Sequence, residues 1–128
     1  MAVNYSVAAI NARLEGVVDT IDGGGGNASL ILQATGSTIS TISLARPCGS
    51  VDGGVLTFDG TLLDPSASST GYVDSAKIET SGGDAVITGL TVGIPLSGAD
   101  VIVSNGLNST LITAGQTVEL LSAEIIGS

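Results

Sequence analysis

Apolar positions follow two different rhythms along this 128-residue chain. Near the start, Ile10, Leu14, Val17, Val18 and Ile21 recur at the spacing that gathers side chains on one face of a helix. That spacing predicts a helix over residues 6–22. Asn4 or Ser6 can cap its start, and the run from Gly23 to Gly26 can end it without steric cost. Asn11, Arg13, Glu15, Asp19 and Thr20 fall on the outer side. Gly16 weakens the middle unless another backbone packs close, and Asp19 and Asp22 sit at the unfavourable end of the helix dipole. Two uses of the apolar stripe are open: plugging an open end of the chain's own fold, or docking on a partner.

From residue 28 onward the rhythm is that of strands. The central stretch, residues 85–103, is rich in β-branched residues and interrupted by Gly and Pro, so it breaks into short strands. Before it, residues 29–35 alternate Leu30, Leu32 and Ala34 against Ile31 and Gln33. Residues 38–44 put Ile42 and Leu44 on one side and Ile39 on the other. Val51 opens a strand that Asp52, Gly53 and Gly54 break and residues 55–58 resume, with Asp59-Gly60 as a further turn signal. Residues 63–71 carry no apolar pattern and read as an exposed loop. Residues 72–80 place Ala76 and Ile78 inward and Lys77 and Glu79 outward, and residues 81–84 close a hairpin into the central stretch. Asn105-Gly106 and Ala114-Gly115 mark two more turns, and residues 116–126 supply the last strand.

With about eight strands and no second helix, the pattern predicts an all-β fold. The expected architecture is an antiparallel β-sandwich, jelly-roll-like, with one N-terminal α-helix. Residues 1–26 form the helix and a Gly-rich linker, and residues 27–128 form the sandwich domain. No fixed-period repeat suggests a solenoid or propeller.

Composition narrows the function classes. Three basic residues stand against twelve acidic ones, a net charge of -9. Such a surface repels nucleic acid and anionic membranes, so neither is expected as a partner. Tyr5, Phe58 and Tyr72 are the only aromatic residues, so the core is aliphatic and a stacking platform for bases is lacking. Cys48 is single and no His is present, which leaves a thiol nothing to pair with or be activated by. Most acidic residues lie beside Gly in turns, as at Asp22, Asp52, Asp59 and Asp84, where Asp bonds its own backbone. A Ca2+ site among them is the sharper idea, although no run of alternating Asp appears. The Gly run follows the helix and so presents no helix N-terminus to a phosphate. No catalytic residue, metal ligand or cofactor is assigned, and the chain is not expected to be an enzyme. No secretory signal or membrane-spanning stretch is read, so synthesis in a cytosol is expected.

Several segments carry a resemblance: Tyr5-Ser6, residues 11–14, residues 18–22 with the following glycines, residues 53–56, residues 88–93 and residues 113–118. Together they resemble the small, acidic proteins, rich in Gly, Ser and Thr, that are encoded beside the major capsid gene of tailed bacteriophages. The resemblance spans nearly the whole chain. It implies a virion structural protein, a head decoration (cement) protein on the capsid surface, made in the host cytoplasm. It also implies the major capsid protein as partner, and symmetric clustering suggests a homo-oligomer, a dimer or trimer. It brings no catalytic residues. The expected partner-binding residues are the helix stripe Ile10, Leu14, Val17, Val18 and Ile21, with any apolar residue left exposed on an edge strand. Removal of residues 1–22 is then expected to abolish capsid binding and leave the sandwich folded. The alternative is a tail-fibre or adhesin module that recognises a cell-surface glycan, with the 63–71 loop as its site.

Overall fold

The structure is a computed structural model that describes residues 6–23, 26–58, 62–93, 99–103 and 110–126, with the backbone alone at 121, 122 and 126. The expected turns at Asp59-Gly60 and Asn105-Gly106 lie outside the described residues. The chain runs α1 (Val7–Asp22), β1 (Ser29–Ala34), β2 (Ser37–Ser43), β3 (Gly49–Asp52), β4 (Val55–Phe58) and β5 (Leu63–Asp64). It continues with β6 (Gly71–Tyr72), β7 (Ser75–Glu79), β8 (Ala85–Gly93), β9 (Val101–Val103), β10 (Leu111–Ile112) and β11 (Val118–Ile126). The fold is all-β with one N-terminal α-helix, as the pattern predicts.

The longer strands form one mixed sheet in the order β2-β1-β7-β8-β9-β11-β4-β3, with β5 joined to β11 and β6 paired with β10 apart from it. Among the described residues every pairing is antiparallel except β8 with β9, which run parallel at Val92↔Val101 and Gly93↔Ile102. Asp100 secures that junction. Its carboxylate accepts from the Thr91 amide and hydroxyl, both at 3.1 Å, and its own amide donates to Thr91 Oγ1 at 2.9 Å.

A bulge sets the curvature of the first hairpin. Leu32 faces Ser40 while Gln33 faces Thr38, so Ile39 is the extra residue. An inserted residue reverses which face the following side chains take. Ile39 therefore reaches the core together with Ile42 and Leu44, although its parity in sequence differs from theirs. The bulged Ile39 carbonyl turns outward and accepts from the amides of Ser68 (2.9 Å) and Ser69 (3.3 Å) and from the Ser68 hydroxyl (3.1 Å).

Those bonds belong to a seam that closes the curled sheet. The segment around β5 pairs with β11 on one side, Asp64 opposite Val118 and the Leu120 amide on the Leu62 carbonyl at 2.9 Å. On its other side it meets β2 through those bonds to Ile39 and through the Asp64 side chain. Asp64 Oδ2 accepts from the buried Ser40 hydroxyl at 2.6 Å and from the Thr41 amide at 3.2 Å, and Oδ1 accepts from the Ser66 amide at 3.0 Å. The expected exposed loop holds for Leu63, Pro65, Ser66, Ser68 and Thr70, but Asp64, only 9% exposed, and Ala67 are buried and tie the segment into a seam. Polar residues can be buried in this way when each finds a partner.

The enclosed core is aliphatic: Leu30, Leu32, Ile42, Leu44, Leu56 and Ile78 are almost wholly buried. Gly71 lets β6 lie against it, since a Cβ there would sit 3.0 Å from both Ala34 Cβ and Ile39 Cδ1.

Two predictions arise from these features. Thr35 heads the β1–β2 turn at φ 47° and Gly36 follows at φ 84°, a conformation that suits Asn before Gly and strains a β-branched residue. Thr35→Asn should raise unfolding stability by about 1 kcal/mol in urea titration; an unchanged or lower midpoint contradicts this. Asp64→Ala strands a buried hydroxyl and two amides, so it should cost about 3 kcal/mol. In a double-mutant cycle with Ser40→Ala the two losses should fall short of additivity by about 1 kcal/mol or more. Additive losses would mean that the two groups do not act as a pair.

Candidate functional site

The helix is capped as its sequence allows: the Ser6 hydroxyl accepts from the Ala9 amide at 3.2 Å. At the far end Gly23 donates to the Thr20 carbonyl at 3.2 Å. The expected stripe divides in two. Leu14, Val18 and Ile21 are buried in the chain's own core, against the β3–β4 hairpin and the sheet behind it, and Ile10 and Val17 are half-buried at the margin. Full burial of three aliphatic side chains is worth on the order of 6 kcal/mol of transfer free energy. That amount places the helix within the domain fold, not on an arm attached by a linker. The three buried residues are consequently already covered by this chain. Removing residues 1–22 would uncover the part of the core that these three side chains fill, so the deletion is expected to bear on folding as well as on binding.

Two side chains of α1 fix its seat. Asn11 Oδ1 accepts from the Gly54 amide at 2.8 Å, in a turn where Gly53 and Gly54 have φ of 60° and 82°. Asp22 Oδ2 accepts from the Cys48 amide at 3.3 Å, which sets the start of β3 beside the helix end. Asp22 Oδ1 is buried and has no hydrogen-bond partner among the described residues. Cys48 itself is buried. Gly49 follows, and any side chain there would collide with the Thr57 carbonyl oxygen.

Between α1 and β3 lies an open groove of about 430 Å3 lined by Glu15, Val18, Asp19, Gly49, Ser50 and Val51. Its walls carry two carboxylates and a strand edge. Among the described residues its lining groups include no cation, imidazole or thiol. Among the described residues, no group of three or more His, Cys, Asp or Glu is placed to hold a metal ion. Of the acidic turns singled out by sequence, Asp84 bonds locally, its carbonyl accepting from the Thr80 amide and its amide donating to Thr80 Oγ1. Asp59 lies outside the described residues.

The outward apolar residues lie elsewhere. Tyr72 is 65% exposed and Leu63 36%, at two ends of the sealed segment, and Val7 stands out on the first turn of α1. Tyr72 lies on a short two-stranded ribbon, facing Leu111 across β6 and β10. The next amide, Val73, donates to the Thr110 carbonyl at 3.1 Å, and the Ala114 amide donates to Thr70 Oγ1 at 2.8 Å. Sequence reasoning anticipated exposed apolar residues on strands as contacts without being able to say which. Their positions depend on the seam, and the seam depends on one Asp that composition files under turns.

The core role of the helix has a direct check. Ile21→Ala should lower unfolding stability by about 3 kcal/mol, measured by denaturant titration. A loss below about 0.5 kcal/mol would mean that the helix is not docked, since only exposed positions tolerate truncation that well.

Compared with known protein families, curated proteins and solved structures, the chain matches none.

Proposed function

We propose that this chain is a virion structural protein, a head decoration (cement) protein of a tailed bacteriophage that seats on the outer surface of the major capsid shell. The motif resemblance described above is the starting point. The observation that carries the reading is how the side chains are used. The best-connected carboxylate, Asp64, ties strands together, while the aromatic Tyr72 and the apolar Leu63 are left facing solvent beside the same seam. A sealed aliphatic shell with apolar residues presented on short, fixed strands suits adhesion to a large surface. An exposed Tyr on rigid backbone is the kind of residue that anchors an interface at little entropic cost.

On this reading the contact residues are Tyr72 and Leu63, with Val7, Ile10 and Val17 at the helix margin. Many symmetric copies on a shell convert modest single-site affinity into lasting attachment, and a dimer or trimer would match the local symmetry of capsomers. The protein would be made in the host cytoplasm and function on the virion. No catalytic role is assigned to it.

The test uses phage shells assembled without decoration. Purified protein should co-sediment with them saturably, and Tyr72→Ala should weaken attachment about tenfold or more, the loss expected for an interface anchor, with the melting temperature unchanged. Failure to bind any shell, together with recognition of a cell-surface glycan on an array, would replace this reading with the adhesin one.

A further inference from the structure

The two ends of the sheet are treated differently. At one end β2 is sealed, its edge groups taken by Asp64, Ser68 and Ser69. At the other end β3 is the last strand in the order, and no described strand pairs with its outer side. An unpaired edge is a template for another strand unless it is blocked. The strand itself reads Gly49, Ser50, Val51 and Asp52, with no Pro and no Lys.

The hairpin turn fixes which groups face out. With Gly53 and Gly54 both at positive φ, β3 and β4 are joined by a two-residue turn whose flanking residues, Asp52 and Val55, pair directly. In such a hairpin the flanking pair exchanges both hydrogen bonds and the next pair exchanges none. Ser50 and Asp52 therefore bond to β4, and the Val51 amide and carbonyl point away from it, toward the groove beside α1. Four residues of strand give a docking length of about 13 Å.

The groove's charge selects the occupant. Glu15 and Asp19 lie four residues apart, on one face of the helix, and both line the wall opposite β3. Asp52 is exposed at the hairpin end of the same strand. Arg13, two residues from Glu15, falls off that face. A second copy of this chain, itself at a net -9, would be repelled from such a groove. A segment bearing Lys or Arg would be drawn to it.

We propose that the groove between α1 and the outer edge of β3 receives an extended, cation-bearing segment of a partner protein, which adds to the sheet as a further strand. Main-chain bonds to Val51 supply the pairing, and Glu15 and Asp19 hold alternate basic side chains. The inference uses different residues from the capsid reading: none of Tyr72, Leu63, Val7, Ile10 and Val17 lines this groove.

The experiment uses the full chain labelled with 15N and, as probe, a short blocked peptide of alternating Lys and Val. Saturable amide shifts are expected at Ser50 and Val51 and along the Glu15 to Asp19 turn, weakening as salt rises. Glu15→Gln with Asp19→Asn should weaken binding about tenfold, and both sites are exposed enough to leave the fold intact. Val51→Pro removes an outward amide and keeps the bonds to β4, so it should fold and lose the peptide. A peptide N-methylated at alternate amides should not bind, because it cannot pair with an edge. Equal binding by the methylated peptide would reduce the effect to charge attraction and overturn the proposal. Shifts confined to Tyr72 and its neighbours, no shifts at all, or a chain that dimerises through β3 would overturn it too.

Discussion

Asp64 holds together what the backbone alone leaves apart. A curled sheet with a sealed edge can be made by pairing its first and last strands in full. Here the gap between β2 and β11 is bridged instead by a two-residue strand, the Asp64 carboxylate and the bonds of Ser68 and Ser69 to the Ile39 carbonyl. Each oxygen of that carboxylate is used: one for the β2 edge, the other for the amide two residues on, which shapes the turn at Pro65. Placing an acid where little water reaches is costly unless its lone pairs are filled. Three hydrogen bonds occupy them, and one donor, the Ser40 hydroxyl, would itself be stranded without the acid. The Ile39 bulge belongs to the same arrangement, since it frees a carbonyl for the serines that follow.

The helix answers the remaining opening. Once the β3–β4 hairpin extends past β11, its inner face needs a cover, and α1 supplies Leu14, Val18 and Ile21. The hydrogen bonds from Gly54 to Asn11 and from Cys48 to Asp22 then fix its angle at both ends of β3. Packing chosen in this way leaves a groove, because helix and strand edge touch along one line only. The sealed edge and the open edge thus come from one economy of pairing. What is left facing solvent, a fixed Tyr72 and an acidic groove, is suited to contact with other molecules.

Much of this was legible in the sequence. The helix, its Ser6 cap and the inward Ala76 and Ile78 all follow from local rules of spacing and turn chemistry, whereas the Gly53-Gly54 break reads as an interruption within one strand and is in fact a hairpin turn. The parity of β2 was not legible: Ile39 reads as outward because a bulge is set by the partner strand, not by the strand that carries it. Asp64 was hidden for a similar reason. In sequence it heads a polar stretch with Pro and Ser, the signature of an exposed loop, and only the approach of Ser40 and Thr41 from 24 and 23 residues away makes it a core residue. The use of the helix stripe was open to either reading, since burial against one's own sheet and burial against a partner demand the same spacing. Contact residues such as Tyr72 are least legible of all, because exposure is a property of the finished fold.

Native-state hydrogen exchange at the seam reaches the central claim most directly. If the Asp64 tie closes the sheet as a single cooperative unit, the amides of Thr41 and Ser68 should exchange only through global unfolding, with the same opening free energy as Leu32 or Ile78 in the sheet interior. Exchange at Thr41 and Ser68 through a low-energy local opening, while Leu32 and Ile78 stay protected, would show that the sheet is held without its seam.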